Sequence, residues 1–388
     1  MRRGITRSPS RRRTRFATAL HSGAACASSL EAMSAAPPGG RGALSNPAGR
    51  FESRNSEAID DGWDSLAGPL PPLQTIVRPL AARSIMTYND SPDLGFDCSI
   101  NPYQGCEHGC IYCYARPSHA YLNLSPGLDF ETRLFYKPDA ARLLEAELRK
   151  PGYRPAMIAL GANTDPYQPI EKKLGITRGI LEVLERFGHP VGIVTKGTLV
   201  ERDLDLLAAM AARNLVAVGI TLTTLDAALK RGLEPRAAAP AARLRTMQRL
   251  AAAGVPVRVM FSPVIPAVND AELERVLEAA AAVGAISASY VLLRLPYEVK
   301  DLFRQWLQAH LPQRAAHVMS LIRQMRGGRD NDPAFGSRFK GQGEFARLLA
   351  QRFRLACRRC GLDRPRPGPE LSHFRVPPCA GDQFALAL

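Results

Sequence analysis

The chain has 388 residues, 46% hydrophobic and 22% charged, which fits a globular protein of one large domain with extensions or two modest domains. Arg, Asp, Glu or Pro breaks every apolar run before it reaches membrane-spanning length, so no membrane is expected and the cytoplasm is the expected compartment. The formal charge of +15 favours polyanionic partners such as nucleic acid, although an Arg-rich start supplies part of the excess.

Residues 1–80 carry no sustained apolar period and are rich in Arg, Ser, Ala, Gly and Pro, so the composition predicts a disordered basic N-terminal extension. Its first acid is Glu31, a bias shared with organelle transit peptides, but a plain disordered extension is the simpler reading. From about residue 95 short β-rich runs alternate with longer helical stretches. The strands are expected at Phe96–Ile100, Ala156–Leu160, Val191–Thr195, Leu215–Leu222, Val255–Phe261 and Ile286–Leu293. Helices are expected between them at roughly 138–149, 172–187, 201–213, 238–253 and 270–283, with Gly254 and Gly284 as C-terminal caps. Six strands each followed by a helix imply parallel pairing with right-handed crossovers, as an open doubly wound sheet or as a partial (β/α) barrel. Either places ligands beyond the carboxyl ends of the strands. Residues 298–326 read as two helices, 327–343 as a Gly-rich basic loop, 344–358 as a helix and 361–388 as an irregular Pro-rich end, giving a core over 85–300 and a C-terminal extension over 301–388.

Three of the eight cysteines fall in one run, Asn101-Pro102-Tyr103-Gln104-Gly105-Cys106-Glu107-His108-Gly109-Cys110-Ile111-Tyr112-Cys113-Tyr114. Thiolates spaced C-x3-C-x2-C can wrap one compact centre, and soft sulfur ligands select zinc or an iron–sulfur cluster. A closed zinc site needs four ligands, which His108 or a distant residue would have to complete. A cubane on three thiolates leaves one iron open. The run follows the first expected strand, where a parallel-sheet enzyme holds its reactive centre.

This run, with the aromatic Tyr112 before its last cysteine, resembles the signature of the radical S-adenosylmethionine (SAM) superfamily. The resemblance extends by order of elements over roughly 85–300, and its style is that of the spore photoproduct lyase-related, "DNA repair photolyase-like" proteins, in a bacterial subfamily of undefined substrate. The Thr164-Asp165-Pro166-Tyr167-Gln168-Pro169-x-Glu171 run belongs to the same match. The resemblance implies a partial (β/α)6 TIM-type barrel and a [4Fe–4S] cluster on Cys106, Cys110 and Cys113. It further implies SAM chelated on the open iron, reductive cleavage to a 5′-deoxyadenosyl radical that abstracts hydrogen, and reduced flavodoxin or ferredoxin as electron donor.

The segments after the later strands suit a cofactor. Thr164 and Asp165 are placed to bind a ligand amine, or else shape a turn; Lys196 at the third strand's end offers a point charge to the SAM carboxylate; Thr221 and Thr223 share a strand face and offer hydroxyls. Tyr112 joins these as a cofactor-side residue. Asn269 and Asp270 follow the fifth strand and either line an adenosine pocket or cap a helix. One departure stands out: the lyases carry a hydrogen-donating Cys just before the Ser/Thr-Asp pair, where this chain has Asn163. Cys357 and Cys360, with His373 and Cys379, make a weaker candidate for a second metal, against simple packing at a helix end. The reading is a radical SAM enzyme on an unknown substrate, nucleic acid among the candidates. The alternatives are a nucleic-acid-binding protein with a structural zinc or iron–sulfur site, and a simple electron carrier.

Overall fold

The computed structural model describes residues 40–51, 73–365 and 368–378. Its strands are β1 (Ile76–Pro79), β2 (Met86–Tyr88), β3 (Cys98–Ile100), β4 (Tyr103–Gln104), β5 (Arg133–Tyr136), β6 (Ile158–Leu160), β7 (Val191–Thr195), β8 (Val216–Thr221), β9 (Val257–Val264) and β10 (Ser287–Leu292). The helices are α1 (Asp129–Thr132), α2 (Ala140–Leu148), α3 (Glu171–Leu174), α4 (Ile176–Arg186), α5 (Leu204–Ala211), α6 (Ala227–Leu233), α7 (Pro240–Ala252), α8 (Leu273–Ala282), α9 (Val299–His310), α10 (Pro312–Gln324) and α11 (Gly343–Cys360).

The main sheet runs β10-β9-β8-β7-β6-β3-β2, with β3 and β6 to β10 all parallel and β2 antiparallel at one edge. Strand order therefore follows chain order without reversing. A doubly wound sheet reverses at a switch point; a strictly sequential order winds in one direction, as a barrel does. Among the described residues β10 does not pair with β2, so this is the partial (β/α)6 barrel, open along one side. The six expected strands are all present, mostly trimmed by a few residues, because only the apolar centre of each run is paired. A second, three-stranded sheet orders β1-β5-β4 and buttresses the segment after β3.

The core forms where the two periods meet. Strand residues Ile100, Leu160, Ile193, Val218, Ile220, Val259 and Phe261 are buried against helix residues Leu144, Ile180, Leu184, Leu207, Met247, Leu250 and Leu277. Gly254 and Gly284 do end α7 and α8, with φ of 76° and 95°. α11 docks on α8 through the bidentate pair Arg352–Glu274 at 2.8 and 2.7 Å. It carries Cys357 into the core, with Cys360 packed at its edge.

Two stretches depart from the expected disordered extension over 1–80. Residues 73–80 supply β1, and residues 40–51 pack against the core, with Arg41 and Ala43 buried. Their order comes from long-range partners: Arg41 donates to the carbonyls of Glu131 and Leu73, while the Gly42 and Ala43 N–H groups donate to the Glu131 carboxylate. The remainder of that expected extension lies outside the described residues.

The Pro-rich end is likewise fixed over 368–378. Phe374 packs at tilted and edge-on angles among Tyr153, Phe187 and His189, and the Arg375 N–H donates to the Phe187 carbonyl at 3.0 Å. His189 is buried, with Nδ1 against the Pro190 carbonyl and Nε2 at 2.8 Å from the Tyr153 hydroxyl. Burial pulls its pKa down to about 4, the Pro190 carbonyl opposing. The folded state thus takes a proton later than the unfolded chain as pH falls, so stability drops between about pH 6.5 and 4. Between pH 7 and 5 this one group costs about 2 kcal/mol. Urea unfolding at the two pH values is expected to show that loss in the native protein and a smaller one in His189→Gln; equal losses would refute the assignment.

Candidate active site

The cysteine run leaves the carboxyl end of β3, passes through β4 and folds over the end of the barrel. Gly105 and Gly109 take φ of 77° and 66°, and a Cβ on Gly105 would sit 2.7 Å from the Leu134 side chain and 2.9 Å from the Phe130 carbonyl. Only glycine fits both conditions. The Cys106 N–H donates to Phe130 O at 2.9 Å and the Ile111 N–H to Leu233 O at 3.1 Å. Gln168 grips the loop's start: its amide donates to Gly105 O (3.1 Å) and its carbonyl accepts from the Glu107 N–H (2.9 Å). Beneath the loop, Arg116 donates to Gly109 O (3.2 Å) and Cys110 O (2.9 Å) and pairs with Glu131 at 2.5 Å, both side chains fully buried.

The three thiols are gathered on this loop. Cys106 and Cys110 are buried, Cys113 partly so, and all are free. Burial pushes the Cys106 pKa well above the usual thiol range, with Asp165 and the other two thiols adding to it. Burial also pushes Cys110 up to about 12, against the pull of Lys196. Each thiol thus lies within the field of its neighbours. Among the described residues, no three His, Cys, Asp or Glu side chains converge to hold a single metal ion.

Lys196 follows β7, and its ammonium lies 5.9 Å from the Tyr112 ring centroid. Burial works against that charge, but Cys110 and Glu234 outweigh it and the pKa is raised. Among the described residues the ammonium has no hydrogen bond or ion pair of its own. Asp165 is differently placed. Its carboxylate accepts from Tyr167 N–H (2.9 Å), Thr195 Oγ1 (2.6 Å) and Lys196 N–H (2.7 Å), and lies 3.2 Å from His108 Nδ1. Burial opposes its ionisation, but His108 and these donors bring its pKa down to about 2. Its oxygens are engaged inside the protein, as is Thr164 Oγ1, which donates to Tyr103 O at 2.8 Å.

Thr223 and Tyr112 meet at Glu234, which Arg243 neutralises. Thr221 ends β8, and its carbonyl accepts from Arg243 at 2.9 Å. Asn269 is buried, bonding the Ile265 N–H and the Thr223 and Pro263 carbonyls. Cys357 and Cys360 lie apart on α11. The backbone of His373 abuts Gly188, and Cys379 lies outside the described residues. Burial raises Cys357 to about 11, so it is a packed neutral thiol.

Sequence reasoning missed Arg116, Glu131, Glu234 and Arg243, which look like solvated helix charges until folded. Gln168 could have been found, since it sits inside the Thr-Asp-Pro-Tyr-Gln-Pro run.

Residues 100–280 match the model of the radical SAM superfamily. An uncharacterized protein of Mycobacterium tuberculosis is 37% identical over 286 residues, covering 73% of this chain and 81% of the relative. Another, of Methanocaldococcus jannaschii, is 30% identical over 173 residues, covering 45% and 62%. Among solved structures, spore photoproduct lyase complexed with dinucleoside spore photoproduct superposes with a TM-score of 0.53 at 15% identity, over 73% of this chain and 79% of that one. A mutant of that lyase with bound AdoMet and the same dinucleoside gives 0.52 at 16% identity, over 73% and 78%. At these identities the likeness is one of fold. No helix among the described residues is long and apolar enough to cross a membrane.

Proposed function

The chain belongs to the radical SAM superfamily, and from that premise we propose that Cys106, Cys110 and Cys113 hold a [4Fe–4S] cluster in an enzyme that cleaves SAM reductively. When bound, the cluster supplies an electron, and SAM the 5′-deoxyadenosyl group that removes a hydrogen atom from the substrate. The observation that carries this reading is three thiols on one loop at the barrel mouth, Cys106 and Cys110 buried and Cys113 half-buried, with the Lys196 ammonium close enough to pull down the Cys110 and Cys113 pKa.

The chain's own residues have separable tasks. Cys106, Cys110 and Cys113 would hold the cluster as thiolates, their protons released to solvent, and Lys196 would offset the negative charge so gathered. Lys196 is also the group for the SAM carboxylate, since its ammonium has no other partner among the described residues. Asp165 holds the Lys196 backbone and His108 in place, and Thr164 fixes the turn beneath them. Tyr112, Thr221 and Thr223 shape the floor through Glu234 and Arg243. A reduced flavodoxin or ferredoxin is the expected electron donor. Asn163 cannot return a hydrogen atom to a product radical, so the thymine-dimer chemistry of a lyase with cysteine there is not part of the proposal.

Protein reconstituted without oxygen should be brown and, with dithionite, convert SAM to methionine and 5′-deoxyadenosine. A colourless protein holding only zinc, or an iron–sulfur protein that leaves SAM intact, would end the reading. Lys196→Ala should weaken SAM binding roughly tenfold or more, the worth of one charge-assisted contact, while iron content stays unchanged. Loss of iron with unchanged SAM affinity would reverse that assignment.

A further inference from the structure

The two tyrosines flanking Cys113 each carry a cation. Lys196 lies over Tyr112, and Arg294, two residues beyond β10, lies over Tyr114 with its guanidinium carbon 5.9 Å from the ring centroid. Tyr114 donates its hydroxyl to Ala162 O beyond β6 and leaves about half its surface exposed. Both cations therefore stand at the carboxyl end of the barrel, on opposite flanks of the last cluster cysteine. Lys196 has a task in the reading above. Arg294 has none.

Arg294 is costly to hold as it stands. Its Nε is shut off from solvent and has no hydrogen-bond partner, and among the described residues its guanidinium forms no ion pair. Arg294 as a whole is half-buried, and an enclosed guanidinium nitrogen normally finds an acceptor. Asp93, the carboxylate whose charge acts on Arg294, is engaged elsewhere: it pairs with Arg338 at 2.7 Å and accepts from the Gly336 N–H at 2.8 Å. Burial and the Arg338 charge both pull the Arg294 pKa down.

The surroundings are built rather than loose. Phe339 separates the two arginines, 5.0 Å from Arg294 and 4.8 Å from Arg338. The basic loop that carries it is pinned to β10 by Leu292 N–H to Phe339 O at 2.9 Å. Buried Arg326 adds bonds to the carbonyls of Leu293 (2.8 Å) and Arg338 (2.8 Å). The guanidinium is thus preorganised between two aromatic rings, with positive charge in excess.

We infer that Arg294 is the docking point for a phosphate group of the substrate, placed one side chain from Cys113 and across the loop from the SAM carboxylate contact. A guanidinium fork matches two phosphate oxygens, and the Arg338 charge beyond Phe339 adds to the positive field on a doubly charged anion. A single carboxylate carries one charge and gains less from that field. The inference rests on the enzyme reading above and gives it a substrate class: phosphorylated compounds, anchored by the phosphate so that a neighbouring C–H faces the cluster.

Inorganic pyrophosphate is the probe, titrated calorimetrically into the full-length protein, with malonate as the carboxylate control. Arg294→Gln should weaken pyrophosphate roughly tenfold and leave SAM affinity unchanged. Arg294→Lys, which keeps a charge but loses the fork, should fall between and decides the matter if the glutamine variant does not fold. Equal pyrophosphate affinity in the native protein and the variants, or no binding at all, overturns the site. Displacement of pyrophosphate by SAM overturns its separateness from Lys196, and malonate binding as tightly as pyrophosphate overturns the phosphate assignment. Iron content and SAM cleavage are read separately, so a failure of the cluster reading shows there.

Discussion

Replacing Cys110 with alanine is expected to leave a folded, colourless protein. Iron and acid-labile sulfide after anaerobic reconstitution should fall to background, and SAM cleavage with them. The loop is held by contacts that do not involve the sulfur: Gln168 on Gly105 and Glu107, Arg116 on Gly109 and Cys110, and Phe130 O on the Cys106 N–H. Truncating one small buried thiol should cost about 1 kcal/mol of stability, so the melting temperature separates cluster loss from unfolding. Cys106→Ala and Cys113→Ala should behave alike. Cys357→Ala is the contrast, since that thiol packs in the core on α11 and its loss should leave iron content unchanged. A full cluster in Cys110→Ala would overturn the ligand assignment.

How much of this was legible beforehand follows from the range of the interactions. The six parallel strands are written in local apolar runs, and the cysteine loop in an eight-residue spacing, so both appear in the sequence. Partial-barrel winding against a doubly wound sheet is a matter of strand order, which periodicity does not encode. β1, β2, β4 and β5 have two to four residues each, too short to show alternation. Residues 40–51 looked like more of a structureless tail because their anchor is a carboxylate almost ninety positions away, met by backbone N–H groups that any sequence possesses. At the site the residue types after each strand were legible but not their direction. Asp165 and Thr164 point into the protein, satisfied by neighbours, while the Lys196 ammonium is unpaired among the described residues. Arg294 drew no notice at all, since an arginine without a carboxylate is visible only once every nearby acid has been accounted for.

The same accounting explains what Glu131 does. Its carboxylate is fully buried and is met by three donors: Gly42 N–H and Ala43 N–H at 2.9 Å each and Arg116 at 2.5 Å. Arg116 spends its other donors on four carbonyls, two of them in the cysteine loop. A Cβ on Gly42 would fall 1.8 Å from Gly109 O, so the 40–51 segment lies directly on that loop. Arg116→Met should therefore be among the most damaging single changes away from the thiols. It leaves a buried carboxylate without its cation, which costs about 3–5 kcal/mol, and it frees the carbonyls of Gly109 and Cys110. Urea unfolding should show the loss, and iron occupancy should fall although all three cysteines remain. Adding Glu131→Gln removes the stranded charge and should restore part of the stability; Gly42 N–H and Ala43 N–H meet different carboxylate oxygens, so the single amide oxygen keeps one of the two bonds. Stability should then recover further than iron occupancy, because the amide does nothing for the freed loop carbonyls. Native stability and iron in Arg116→Met alone would mean that the pair is incidental to the loop.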